Sequence, residues 1–283
     1  MIDETVEEIR EMQTHSSSVV AVKAAEALLA LTEREFPTVE EYVRDLERNS
    51  SALRRANPSH ATLQNTQREI VDRVETHDAN GVAEAQRETE RAVEEVVDRV
   101  QDAKRAAAEN GTRLFPDGAT VLTHDYSSTV LEAIEQSVMD GNHLEVYVTE
   151  ARPRYLGRKT ARVLGGMDRV DATLLVDGAA GTVLEDCDRV VVGMDCIVGD
   201  TLYNRVGTYP IAATAADVGV PVTVIGSSDK LIDGGFAFEN ERRSPSEVMR
   251  EPAEGFAIEN PAYDATPTRL LDSVVTDEET VEF

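Results

Sequence analysis

Beyond residue 118 apolar β-rich runs and helical segments take turns along the chain, and this alternation constrains the fold more than any other feature. ATVLTH leads into SSTVLEAIEQSVM, HLEVYVTE into YLGRKTARVLGGM, and RVVVGMD into PIAATAADVG, with ATLLVD and VPVTVIGSS as further strand-like runs. Strands joined through helices by short connections require crossover units, hence a parallel sheet covered on both faces. The expectation is an α/β chain whose residues 111–283 form a doubly wound domain.

Residues 1–110 obey a different rule. No glycine precedes Gly81, and strand signals are few. Val19, Val22, Ala25, Leu28 and Leu29 follow the capping serines Ser16 to Ser18 at helical spacing. Val39, Tyr42, Val43, Leu46 and Leu53 repeat the pattern up to an exit at Pro58, and Val93, Val96, Val97 and Val100 mark a long helix from about Val82 to Asn110. These residues read as a helical domain.

Charge narrows the function. The chain carries 54 acidic and 28 basic residues, a net of −26, and only Lys23, Lys104, Lys159 and Lys230 are lysines. Acids spread along the whole length, with scarce Lys, describe a solvated coat suited to high internal salt. Direct nucleic-acid binding needs clustered Lys and Arg and is not expected. The acidic start and the absence of long apolar runs predict a cytoplasmic protein with no membrane span. Cys187 and Cys196 lack metal-ligand spacing and are expected to pack as small apolar residues; no metal or other cofactor is anticipated.

In an open parallel sheet ligands bind beyond the carboxyl ends of the strands. The residues there are His124, Asp125, Ser127 and Ser128 after the first run, Glu150, Arg152 and Arg154 after the second, Asp195 after VVVGM, then Asn204 and Arg205, and Lys230. Ser127 and Ser128 suit either helix capping or an anion at a helix N-terminus. Arg152, Arg205 and Lys230 suit phosphate. Asp195 is either a carboxylate satisfied by backbone donors or a general acid/base.

These residues carry a resemblance. THDYSST, VTEARPRYLGRKTARVL, VVVGMDCIVGDTLYNRVGTYPIAATAADVGVPVTVIGSSDK and IENPAYDATPTRLLDSVVT resemble, in order, four blocks of the translation initiation factor 2B alpha/beta/delta family, which includes methylthioribose-1-phosphate and ribose-1,5-bisphosphate isomerases. The resemblance implies a helical N-terminal domain, a Rossmann-like C-terminal domain, and a homodimer or pairing with related family subunits. It also implies that Asp195 stands at the catalytic Asp, Asn204 at an Asn that grips substrate hydroxyls, and Arg205 in place of a Lys.

Two departures matter. Where the isomerases resemble one another in a Cys, this chain has Asp125, and where they have an Arg-Gly-Ala loop it reads Met12 to Ser18. On that basis the expected function is an archaeal-type, regulatory-subunit-like binding module of translation initiation without isomerase activity, with initiation factor 2 as partner and a sugar phosphate or nucleotide as ligand. The alternative is a ribose-1,5-bisphosphate isomerase-like enzyme using Asp125 and Asp195 as an acid/base pair.

Overall fold

The structure is a computed structural model and describes residues 2–11, 16–232, 238–251 and 254–283. It divides into two compact units, Met1–Ala103 and Lys104–Phe283. Met12 to His15, and with them most of the segment compared with the Arg-Gly-Ala loop, lie outside the described residues.

The first unit is helical: α1 (Ile2–Arg10), α2 (Ser17–Ala27), α3 (Val39–Ala56), α4 (Ala61–Thr76) and the greater part of α5 (Val82–Gly111). Thr38 caps α3 by accepting from the Glu41 amide, the arrangement that TVEE encodes. α3 buries Tyr42, Leu46 and Leu53, α4 buries Leu63, Ile70, Val71 and Val74, and α5 buries Val93, Val96 and Val100. Each set recurs every three to four residues, so one stripe of each helix faces a shared core. On α2 Val20, Ala21, Ala24 and Ala25 are buried, as is Leu28 just beyond it, whereas Val19 is 40% exposed. Sequence reading passed over α1 and α4. The exit expected at Pro58 holds, since α3 ends at Ala56, and a new helix starts at Ala61, capped by His60 Nδ1 accepting from the Leu63 amide.

The second unit is a mixed α/β fold around a seven-stranded sheet. Its elements are β1 (Thr120–His124), α6 (Ser128–Met139), β2 (Leu144–Thr149), α7 (Leu156–Leu164), β3 (Val170–Leu175), β4 (Arg189–Val192), β5 (Cys196–Val198), β6 (Thr201–Arg205), α8 (Thr208–Val218), β7 (Val222–Ile225), β8 (Leu231–Ile232), α9 (Pro245–Val248), β9 (Tyr263–Pro267), β10 (Ser273–Val275) and β11 (Thr280–Glu282). The sheet order is β11-β10-β7-β4-β1-β2-β3, parallel except for the last pair, β10 with β11.

Alternation along each strand explains the two covered faces. Val121, Val191, Ile225 and Val275 join one core with α6 and the end of α5, and Leu122, Val190, Val192, Val222 and Val274 join the other with α8. Burying each such side chain is worth about 1.5–3 kcal/mol. The stretch after Asp195 is a β5–β6 hairpin turning at Gly199 (φ 53°) within a second sheet, β8-β5-β6-β9. Cys187 and Cys196 are buried and free, and burial pushes their thiols up to about 11 and about 12 respectively. No helix among the described residues is long and apolar enough to cross a membrane.

Candidate active site at the switch point

β2 and β3 lie to one side of β1, and β4, β7 and β10 to the other, so the strand order reverses between β1 and β4. Connections leave such a point in opposite directions and open a crevice beyond the carboxyl ends. Asp125 directly follows β1, and Asp195 follows β4 after Gly193 and Met194. Glycine is needed at position 193 because a Cβ there would lie 2.5 Å from Ser127 Oγ.

Asp125 is buried and its backbone is left-handed, φ 63°. Such a φ costs a non-glycine residue roughly 1–2 kcal/mol, less for Asp. Thr160 Oγ1 fixes it by donating to the Asp125 carbonyl at 2.6 Å. The Asp125 Oδ2 lies 3.6 Å from Arg205 Nε. Burial pushes this carboxyl above its usual range; Arg205, His124 and the Tyr126 N–H pull it down, and the charge of Asp195 pushes it further up. The result is a carboxyl biased toward its protonated form beside a fixed cation.

Arg205 closes β6 and stands over the Tyr263 ring, 4.7 Å from its centroid. Lys230 is buried, and its Nζ donates to the Met194 carbonyl at 3.0 Å. Burial lowers the Lys230 ammonium, with Lys104 acting the same way, against the opposing charges of Asp229 and Asp195. Asp125, Asp195 and Arg205 act electrostatically on one another, and Asp195 acts on Lys230. Asn204 stands beside them on β6, its Nδ2 donating to Thr208 Oγ1 at 3.0 Å.

The remaining candidates are engaged in the fold. His124 is buried, with Nε2 2.8 Å from the Val206 carbonyl and Nδ1 2.6 Å from Thr149 Oγ1. A carbonyl only accepts, so Nε2 carries a proton and the ring braces β1 against the turn at Gly207. That turn demands glycine: φ is 114°, and a Cβ would fall 2.5 Å from His124 Cε1. Ser127 caps α6, accepting from the Val130 amide at 3.3 Å, and Ser128 is the first helical residue. Glu150 accepts from Arg158 at 2.6 and 3.1 Å. The Arg152 guanidinium donates to the Val248 carbonyl at 3.2 Å, and its amide, with that of Ala151, donates to Asp177 at 2.7 Å.

Sequence reasoning missed Asp177, Asp264, Arg243 and Asn260. Asp264 accepts from the Gly207 and Tyr209 amides at 2.7 and 3.0 Å, fixing the start of α8 beside Arg205. Its signal was the NPAYDATP block, quoted for resemblance but given no role. No sequence pattern marks Arg243, which reaches the site only through the fold.

Residues 13–281 match the initiation factor 2 subunit family. The chain belongs to that family. Within it, the chain is 34% identical to a ribose 1,5-bisphosphate isomerase from Haloterrigena turkmenica, over 96% of this chain and 88% of that one. It is 30% identical to the ribose 1,5-bisphosphate isomerase of Archaeoglobus fulgidus, over 97% and 87%. A solved structure from Pyrococcus horikoshii OT3, named a translation initiation factor eIF-2B, aligns with a TM-score of 0.85 at 25% identity, covering 99% of this chain and 96% of that one. The expectation of a regulatory translation-factor module is overturned by these relatives. Relatives 27–34% identical to this chain over nearly its full length are named ribose 1,5-bisphosphate isomerases, although Asp125 stands where the resemblance implies a Cys.

Proposed function

We propose that the protein is an aldose–ketose isomerase acting on a pentose phosphate, of the type its ribose 1,5-bisphosphate isomerase relatives are named for. The observation that carries this reading is the pair of carboxylates, Asp125 and Asp195, beside Arg205 and Lys230 at the switch point. Opening the sugar ring and moving the hydrogen from C2 to C1 needs a proton for the ring oxygen and a base for the C2 hydroxyl. Protonated Asp125 gives the first, and the Asp195 carboxylate takes the second. The hydrogen crosses from C2 to C1 with its electron pair, so atoms and charge balance, and solvent returns the proton from Asp195 to Asp125. Arg205 holds the charge that Asp125 acquires, and Asn204 and Lys230 suit the substrate's hydroxyls and phosphate.

The test is formation of ribulose 1,5-bisphosphate from ribose 1,5-bisphosphate in molar KCl. Wild type turns over, and Asp195→Asn lowers kcat by about 10²–10⁴-fold with its thermal midpoint held. A wild type without turnover rejects the reading.

In the same reading the protein is a cytoplasmic homodimer joined through its second unit. Leu174 and Val176 at the edge of the sheet are 44% and 61% exposed, an apolar edge that pairing would cover. Light scattering at micromolar concentration should give twice the chain mass, and a monomer would remove the dimer.

A further inference from the structure

The left-handed backbone of Asp125, φ 63°, persists at a non-glycine residue only where the surroundings hold it. Helix α7 supplies the hold. Gly157 lies in its first turn, and a Cβ there would fall 1.8 Å from the Thr149 carbonyl oxygen, so the helix runs directly against the carboxyl end of β2. That approach brings the following residues of α7 onto the chain leaving β1. Thr160 is 2% exposed, and its Oγ1 donates to the Asp125 carbonyl at 2.6 Å. One residue earlier, Lys159 Nζ stands 3.9 Å from the centroid of the Tyr126 ring. Consecutive residues of the helix thus grip consecutive residues of the turn, one at a backbone carbonyl and one at a ring face. The Thr160 hydroxyl bonds the backbone of Asp125, so it acts on the carboxyl through the conformation of the chain, and that conformation leaves Oδ2 3.6 Å from Arg205 Nε.

We infer that Thr160 is a positioning residue: its hydroxyl holds the left-handed turn at Asp125 and thereby keeps the Asp125 carboxyl beside Arg205, where the proton transfer takes place. The kinetic consequence rests on the isomerase reading; the conformational one rests on the geometry of α7 alone. The charged groups around that carboxyl are His124 on its own strand, Arg205 on β6, Asp195 beyond β4 and Arg154 ahead of α7, with Arg152, Arg243 and Glu247 lining the same cleft. Burial is the largest influence on it and pushes it above the usual carboxylate range. A carboxyl released from the turn and free to reach water should titrate closer to that range. An acid that works only when protonated then loses activity at lower pH.

Two readouts on the full chain in molar KCl separate these consequences. One is the carbon-13 titration of the Asp125 carboxyl in aspartate-labelled protein, assigned with Asp125→Asn; the other is the pH dependence of kcat and KM for ribose 1,5-bisphosphate. Thr160→Val removes the donor and Thr160→Ser keeps it. Thr160→Val should bring the Asp125 titration down toward the usual carboxylate range and lower kcat by about 10–100-fold with KM little changed. The alkaline fall of kcat/KM should move to lower pH with it, and Thr160→Ser should return both readouts toward wild type. Thr160→Ala, which puts no methyl group against the carbonyl, serves the same comparison if the Val variant does not fold. An unshifted Asp125 titration in the variants without the hydroxyl, or a Ser variant as impaired as they are, overturns the inference. A shifted titration in a protein whose wild type shows no turnover would leave Thr160 as the holder of Asp125 and reject the isomerase; turnover with an unshifted titration does the reverse.

Discussion

The two ends of the central sheet use the same residue type for different purposes. At the amino end Asp117, Asp188 and Asp272 accept from the amides of His143, Thr120 and Val222 at 2.8, 2.8 and 2.7 Å, each tying one strand to its neighbour. At the carboxyl end Asp177 does the same for Ala151 and Arg152, and Asp277 for Ser228 at 2.6 Å. Where β1 and β4 part the carboxylates differ: Asp125 and Asp195 stand beside Arg205 instead of clamping a neighbouring strand. An aspartate that satisfies an amide is structural, because an unmet amide is costly once buried. Asp125, buried beside Arg205, has its carboxyl pushed above the usual range and so keeps its proton negotiable.

Substitutions at the two ends should therefore separate activity from stability. The largest effect is the kinetic loss in Asp195→Asn, with folding intact. Next, Asp272→Ala removes the acceptor for a partly buried amide and should cost about 1–3 kcal/mol in urea unfolding, with kcat unchanged. Asp188→Ala faces an exposed amide that water can satisfy, and should cost less than about 1 kcal/mol. Equal losses at Asp272 and Asp195 in both assays would break the distinction between the ends.

The fold was legible because it depends on period. The β-rich runs, the spacing of Tyr42, Leu46 and Leu53, and the change of pattern after Phe115 all report burial directly. The β5–β6 hairpin was not legible, since CIV and TLYNR are too short to show an alternating face. In the site, Asp125, Asp195 and Lys230 were readable as residues that follow strand-like runs, and Asn204 and Arg205 as residues that precede a helix, though both lie at the end of β6. His124, Ser127 and Glu150 occupy equivalent positions, yet Val206, Val130 and Arg158 engage them in the fold. Position along a strand is encoded in sequence, but the partner that occupies a side chain is set by tertiary contacts. Arg243 shows the converse: it lies far along the chain from Asp125 and shares a cleft with it.

The most direct test of the central claim, that a buried carboxyl performs the proton transfer, is the pH dependence of kcat/KM for ribose 1,5-bisphosphate in wild type and Asp125→Asn. Burial raises the Asp125 carboxyl, and the acid is active only when protonated, so wild-type activity should hold below that raised value and fall as pH rises through it. Asp125→Asn should lose about 10²–10⁴-fold of activity and, in whatever remains, the alkaline fall assigned to Asp125. Wild-type activity that rises through the same range, or an Asp125→Asn variant with unchanged kcat/KM and pH profile, contradicts the account.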